Sequence, residues 1–90
     1  MKVFDWNNEK NQLLKTERGI GFEDVIVALK EGRLLDILEH SGKKKYPGQK
    51  IYIIEIERYA YIVPFVENDQ SIFFKTIIPS RKATKKYLIH

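Results

Sequence analysis

The chain has no cysteine. That excludes a disulfide framework, thiolate-held zinc and thiol catalysis, and it suits a reducing cytoplasm. No apolar run approaches the roughly 18 residues that a membrane-crossing helix needs. No cleavable leader is read at the N-terminus, where Met-Lys-Val-Phe-Asp-Trp enters structure directly. A soluble cytoplasmic protein without a membrane role is expected. Glycine-rich phosphate loops are missing, and so are paired histidines at metal-ligand spacing, since the two histidines are His40 and the terminal His90. No metal or other cofactor is therefore expected, and no context supports a serine triad on Ser41 or Ser80.

What remains is one small folding domain, residues 1–90. Ninety residues suffice for a single core, and 43% hydrophobic residues is too many for a disordered tail. The net charge is +4 and unevenly placed. Lys43, Lys44 and Lys45 form one run. Arg81, Lys82, Lys85 and Lys86 crowd a C-terminal stretch that contains no acid. Such clusters attract phosphate.

The apolar spacing predicts helices and strands in blocks. A short strand at residues 2–5 precedes a helix capped by Asn7 and closed by Gly19. A second helix over 22–31 places Phe22, Val25, Ile26 and Leu29 on one face, with Gly21 as N-cap and Gly32 at its end. Strands follow at 34–39, 51–56, 59–66 and 71–78. The two-residue link Glu57-Arg58 predicts a tight hairpin, and Pro64 predicts an edge position or a bulge. Ser80 caps a short final helix. The expected fold is α+β: an antiparallel sheet of four to five strands packed in a single layer against two N-terminal helices, with a short C-terminal helix.

Arginine, lysine, tyrosine and one internal histidine beside a basic helix suit metal-free RNA cleavage. The ribose 2′-hydroxyl is its own nucleophile. The protein has to grip phosphate, move protons and stabilise developing charge. Arg81 at the strand-to-helix junction is the first candidate for phosphate. Lys75 follows, read as alternating with Phe73 and Ile77. His40 is the candidate acid or base, and Tyr87 the candidate ring. Lys10, Lys15, Lys43, Lys44, Lys45, Lys82, Lys85 and Lys86 are candidate RNA contacts. Glu55, on a central strand, is expected to pair with Lys75 or Arg81 if buried. Tyr46, Tyr52, Tyr59 and Tyr61 are either rings for stacking on RNA bases or rings of a core or a protein interface. Two further readings stand beside cleavage: a non-catalytic module binding nucleic acid or an acidic protein through the last helix, and a protein-binding subunit whose hairpin offers a strand edge.

The opening Phe4-Asp5-Trp6-(x3)-Lys10 with Gly19-Ile20-(x)-Phe22-Glu23 resembles the start of BrnT-type toxins. The ending Ile77-Ile78-Pro79-Ser80-Arg81-Lys82-Ala83-Thr84, then Tyr87, is similar to that family's close. The resemblance implies a RelE-like fold and a toxin of a type II toxin–antitoxin system. It implies a metal-independent endoribonuclease acting on mRNA, with or without the ribosome, and a hetero-oligomer with a cognate antitoxin. The resemblance implies that the family's basic and strand-to-helix residues correspond to Lys10, Lys15, Arg81 and Tyr87. The chain departs from it at Glu17-Arg18-Gly19, where the family often has a histidine, and at Thr76, where an arginine is expected.

Overall fold

The computed structural model describes residues 2–39 and 49–89. Strand β1 (Val3–Asp5) leads through Trp6 and Asn7 into α1 (Asn8–Arg18), followed by α2 (Phe22–Lys30), β2 (Leu34–Glu39), β3 (Gln49–Ile56), β4 (Tyr59–Glu67), β5 (Ser71–Phe74), β6 (Ile78–Pro79) and α3 (Arg81–Tyr87). The sheet runs β1-β5-β4-β3-β2, and β6 lies beside β4 on the edge that β5 also uses. The class is α+β.

Local chemistry sets the helix ends. The Asn7 side chain accepts the Lys10 N–H at 2.9 Å, and Gly19, at φ 73°, closes α1 by donating to the Lys15 carbonyl. At α2 the Gly21 N–H donates to the Asp24 carboxylate at 2.8 Å. Glu57 and Arg58 both take positive φ, as a two-residue hairpin turn with the native twist requires, so the β3–β4 hairpin forms without glycine.

Three expectations need correction. The sheet is mixed, because β1 pairs parallel with β5. No hairpin constrains β1, and that pairing brings Phe4 onto Phe74, stacked at 5.3 Å, with Trp6 adjoining the same ring at 6.3 Å. The last strand is not continuous over 71–78. Residues 75–77 stand opposite only Val63 and Pro64, a one-residue bulge between β5 and β6. Pro64 lacks an N–H, its carbonyl on that side accepts from Lys75 at 2.8 Å, and the ladder resumes one residue out of step. Pro64 therefore sits on a central strand, and the irregularity it causes falls on its neighbour.

The third correction concerns the core, which is not a single layer. Tyr52, Ile54 and Ile56 of β3, with Val63 and Phe65 of β4, meet Leu14, Phe22, Val25 and Ala28 of the first two helices. The alternate residues, Ile51 and Ile53 of β3 and Ala60 of β4, meet Ala83, Tyr87 and Leu88. Because successive side chains point to opposite faces, α3 covers the face of the sheet that α1 and α2 leave open. The β3–β4 hairpin lies inside the sheet, so among the described residues the strand edges belong to β1, β2 and the two-residue β6 and not to the hairpin.

Candidate functional site

Seven residues are too few for a helix to hold itself together, so α3 depends on anchors. Ser80 Oγ accepts the Ala83 N–H at 3.0 Å. Thr84, buried, donates its hydroxyl to the Ser80 carbonyl at 2.8 Å and accepts the buried Ala60 N–H at 2.9 Å, tying the helix to β4. At the far end the Tyr87 hydroxyl donates to Asp36 Oδ2 on β2 at 2.6 Å. Lys86 lies over the Tyr87 ring, 5.3 Å from its centre.

Held this way, α3 forms one wall of an open hollow of about 250 Å³ against the sheet. Leu38, Ile53, Ile62 and Ala83 give it an aliphatic floor. Ser80 and Tyr87 add polar tips, and Lys82 and Lys86, one helical turn apart, stand at its margin. The first turn of α3 has no acid, and its last turn carries Lys85 and Lys86. The result is an apolar concavity with a cationic rim.

The sequence candidates distribute unequally around it. Lys82, Lys86 and Tyr87 come together at the hollow. Arg81 and Lys85 belong to the same helix and are exposed, but neither lines the hollow. Lys75 lies in the bulge, exposed, and not at the hollow. The extra residue there puts Ile77 in the core under α1 and α2, so Ile77 lies on the face opposite Phe73 and does not share its face as a continuous strand would have it. Lys10 and Lys15 belong to the opposite layer, and Lys15 is paired with Glu23 at 3.1 Å. His40, Lys43, Lys44, Lys45 and Tyr46 lie outside the described residues. Glu55 makes no ion pair with Lys75 or Arg81 among the described residues, and its main-chain carbonyl accepts from Arg33 instead. Tyr52 is core, stacked on Phe65 at 4.1 Å, and Tyr61 packs on the same core.

Sequence reasoning missed the floor of the hollow and Asp36. Leu38, Ile53 and Ile62 read as ordinary strand residues, and the Asp36–Tyr87 bond spans 51 positions. A bulge in β2 between Leu34 and Asp36 sets the register in which Asp36 shares the α3 face with Ile53.

That bond moves both partners. The Tyr87 hydroxyl, then the Ile37 N–H, hold the Asp36 carboxyl below its ordinary range, and the carboxylate acceptor raises the Tyr87 phenol. Asp36 is depressed by folding, so its contribution is present above the unfolded carboxylate range and is lost as pH falls through the folded value. Tyr87 is raised, so its contribution is complete below about pH 10 and is lost as pH rises through the folded value. Tyr87→Phe is therefore expected to lower stability at neutral pH and to flatten the alkaline limb of the stability profile. Urea midpoints measured from pH 7 to 11 check this, and parallel wild-type and variant curves would contradict it.

Among the described residues, no group of three or more histidine and carboxylate side chains is placed to hold a metal ion. No helix among them is long and apolar enough to cross a membrane. Comparison of the chain with family models, with curated proteins and with solved structures gave no match.

Proposed function

We propose that the protein is a toxin of the metal-independent endoribonuclease kind, acting on RNA from the α3 side of the sheet and neutralised by a cognate antitoxin. The observation that carries the reading is the lysine margin. Lys82 and Lys86 stand at a concavity, on a helix that also exposes Arg81 and Lys85. Phosphate is the ligand such a rim attracts most strongly. In this chemistry the ribose 2′-oxygen attacks the adjacent phosphorus and loses its proton to a base. The 5′-oxygen leaves and takes up a proton, giving a 2′,3′-cyclic phosphate. Arg81 and the lysines offset the charge that gathers on the phosphate oxygens.

Induced expression in bacteria is expected to arrest growth and to shorten RNA with chelator present. Arg81→Ala is expected to reduce cleavage by about 10² to 10³, the usual cost of removing one charge-stabilising donor. Because Arg81 is exposed, the fold should survive. An equally toxic, equally active Arg81→Ala would remove this residue from the mechanism.

One observation favours a second reading, a binding module without catalysis. Among the described residues the hollow is lined by neither a carboxylate nor an imidazole, and the Tyr87 proton is already committed to Asp36. That reading expects salt-sensitive RNA binding with RNA length unchanged.

A further inference from the structure

We propose that the hollow takes a single unstacked base of single-stranded RNA, with Lys82 and Lys86 on the phosphates flanking it, so that the protein selects unpaired RNA and is nearly indifferent to base identity. The proposal rests on the RNA reading above and specifies its substrate.

Size and shape come first. A concavity of about 250 Å³ between one short helix and a sheet face admits a flat ring system and is far too small for a duplex. A flat apolar ring system of base size suits it. Such a ring gains by leaving water over Leu38, Ile53, Ile62 and Ala83. In a duplex the base is paired and stacked and cannot enter, whereas an unpaired strand turns it out at small cost.

The charge pattern agrees. Lys82 and Lys86 are four residues apart on α3, about 6 Å along the axis, close to the repeat of an extended nucleotide. Each ammonium can meet a phosphate on one side of a buried base. An acidic side chain would also be drawn to the lysines but would leave the apolar floor uncovered, whereas a planar base between two phosphates uses the floor and both cations together.

The polar groups explain the expected indifference to sequence. Base identity is read by hydrogen bonds to base edges. Ser80 Oγ already accepts the Ala83 N–H, and the Tyr87 hydroxyl already donates to Asp36. Among the described residues at the hollow this leaves the Ser80 O–H as a donor and spare acceptor capacity on the two hydroxyl oxygens, too few groups to read a base edge closely, so binding should follow mainly apolar surface and phosphate charge.

Fluorescence anisotropy tests this with short 2′-O-methyl oligonucleotides, which lack the attacking hydroxyl and stay intact. The single strand should bind about tenfold more tightly than either the matching duplex or an abasic strand of equal length, a loss in the range expected for one desolvated base. Homopolymers of the four bases should agree within about threefold. Leu38→Ser should weaken the base-bearing strand several-fold and leave the abasic strand unchanged. Leu38 is 42% exposed on an edge strand, so the fold tolerates this change. Equal binding of the abasic strand would overturn the base site and leave the RNA reading standing. Poly-aspartate binding as tightly as RNA would overturn it in favour of an acidic polypeptide. Failure of every RNA to bind would instead defeat the RNA reading itself.

Discussion

Phe74→Ala is expected to cost about 3–5 kcal/mol and to leave much of the population unfolded at 37 °C. Phe74 is fully buried at the point where four elements meet. Its ring stacks on Phe4 at 5.3 Å, on Phe22 at 5.9 Å and beside Trp6 at 6.3 Å, and it meets Tyr52 edge-on at 6.5 Å. It therefore joins β1, the turn after it, α2 and β3 to β5. Alanine would leave a cavity that the rings cannot close by small shifts, because Phe22 and Tyr52 are themselves buried and Phe4 and Trp6 are packed against the same core. For a domain of this size the loss corresponds to a fall in melting temperature of roughly 15–30 °C. Circular dichroism during thermal and urea unfolding measures it. Phe73→Ala is the control: the neighbouring ring lies on the other face and is 36% exposed, so its loss should cost far less. Equal destabilisation by the two variants would show that β5 does not have the alternation described.

Gly21→Ala is expected to destabilise by about 2–4 kcal/mol, an unusual result for a glycine whose backbone any residue can adopt. Gly21 has φ −133°, so no strain of conformation is involved. The obstacle is contact. A Cβ there would lie 2.6 Å from Asn11 Oδ1, 2.6 Å from Lys15 Cε and 2.9 Å from Glu23 Oε1. Lys15 and Glu23 are exposed and can swing away. Asn11 cannot, because it is 3% exposed and its Oδ1 accepts the buried Phe22 N–H at 2.7 Å while its Nδ2 donates to Glu23 at 2.9 Å. Moving it leaves an amide unsatisfied at the start of α2, at about 1–3 kcal/mol, and it loosens the joint between α1 and α2. The same bonds, Asn11 first, hold the Glu23 carboxyl below its ordinary value. A double-mutant cycle checks the mechanism: in an Asn11→Ala background the cost of Gly21→Ala should shrink sharply. Additive losses would place the penalty elsewhere.

The Gly21 contact and the Pro64 bulge mark where the sequence could and could not be read. Asn7, Gly19 and the apolar spacing of 22–29 act within a few residues of themselves, so the first two helices were legible with their caps. The hairpin at Glu57-Arg58 was legible because a two-residue link between strands leaves only the two primed turn geometries. Pro64 announced an irregularity but not its owner, since the missing N–H belongs to a ladder whose other strand lies about ten residues on. The hollow was half legible. Its lysines and tyrosine stood out by composition, but its floor did not, because an aliphatic residue in a strand looks the same whichever face it takes.

Composition and local periodicity determined the class, the order of helices and strands, the absence of thiol chemistry and the concentration of positive charge in the last helix. These follow from backbone propensities and from charges counted along the chain. Tertiary structure alone decided that β1 runs parallel to β5, that α3 crosses to the open face of the sheet, and that Lys82 and Lys86, but not Lys10, Lys15 or Lys75, meet an apolar hollow. The reason is physical: strand alternation assigns each side chain a face only once register is known. Register here depends on a bulge at residues 75–77 and another in β2, each fixed by contacts with residues distant in sequence.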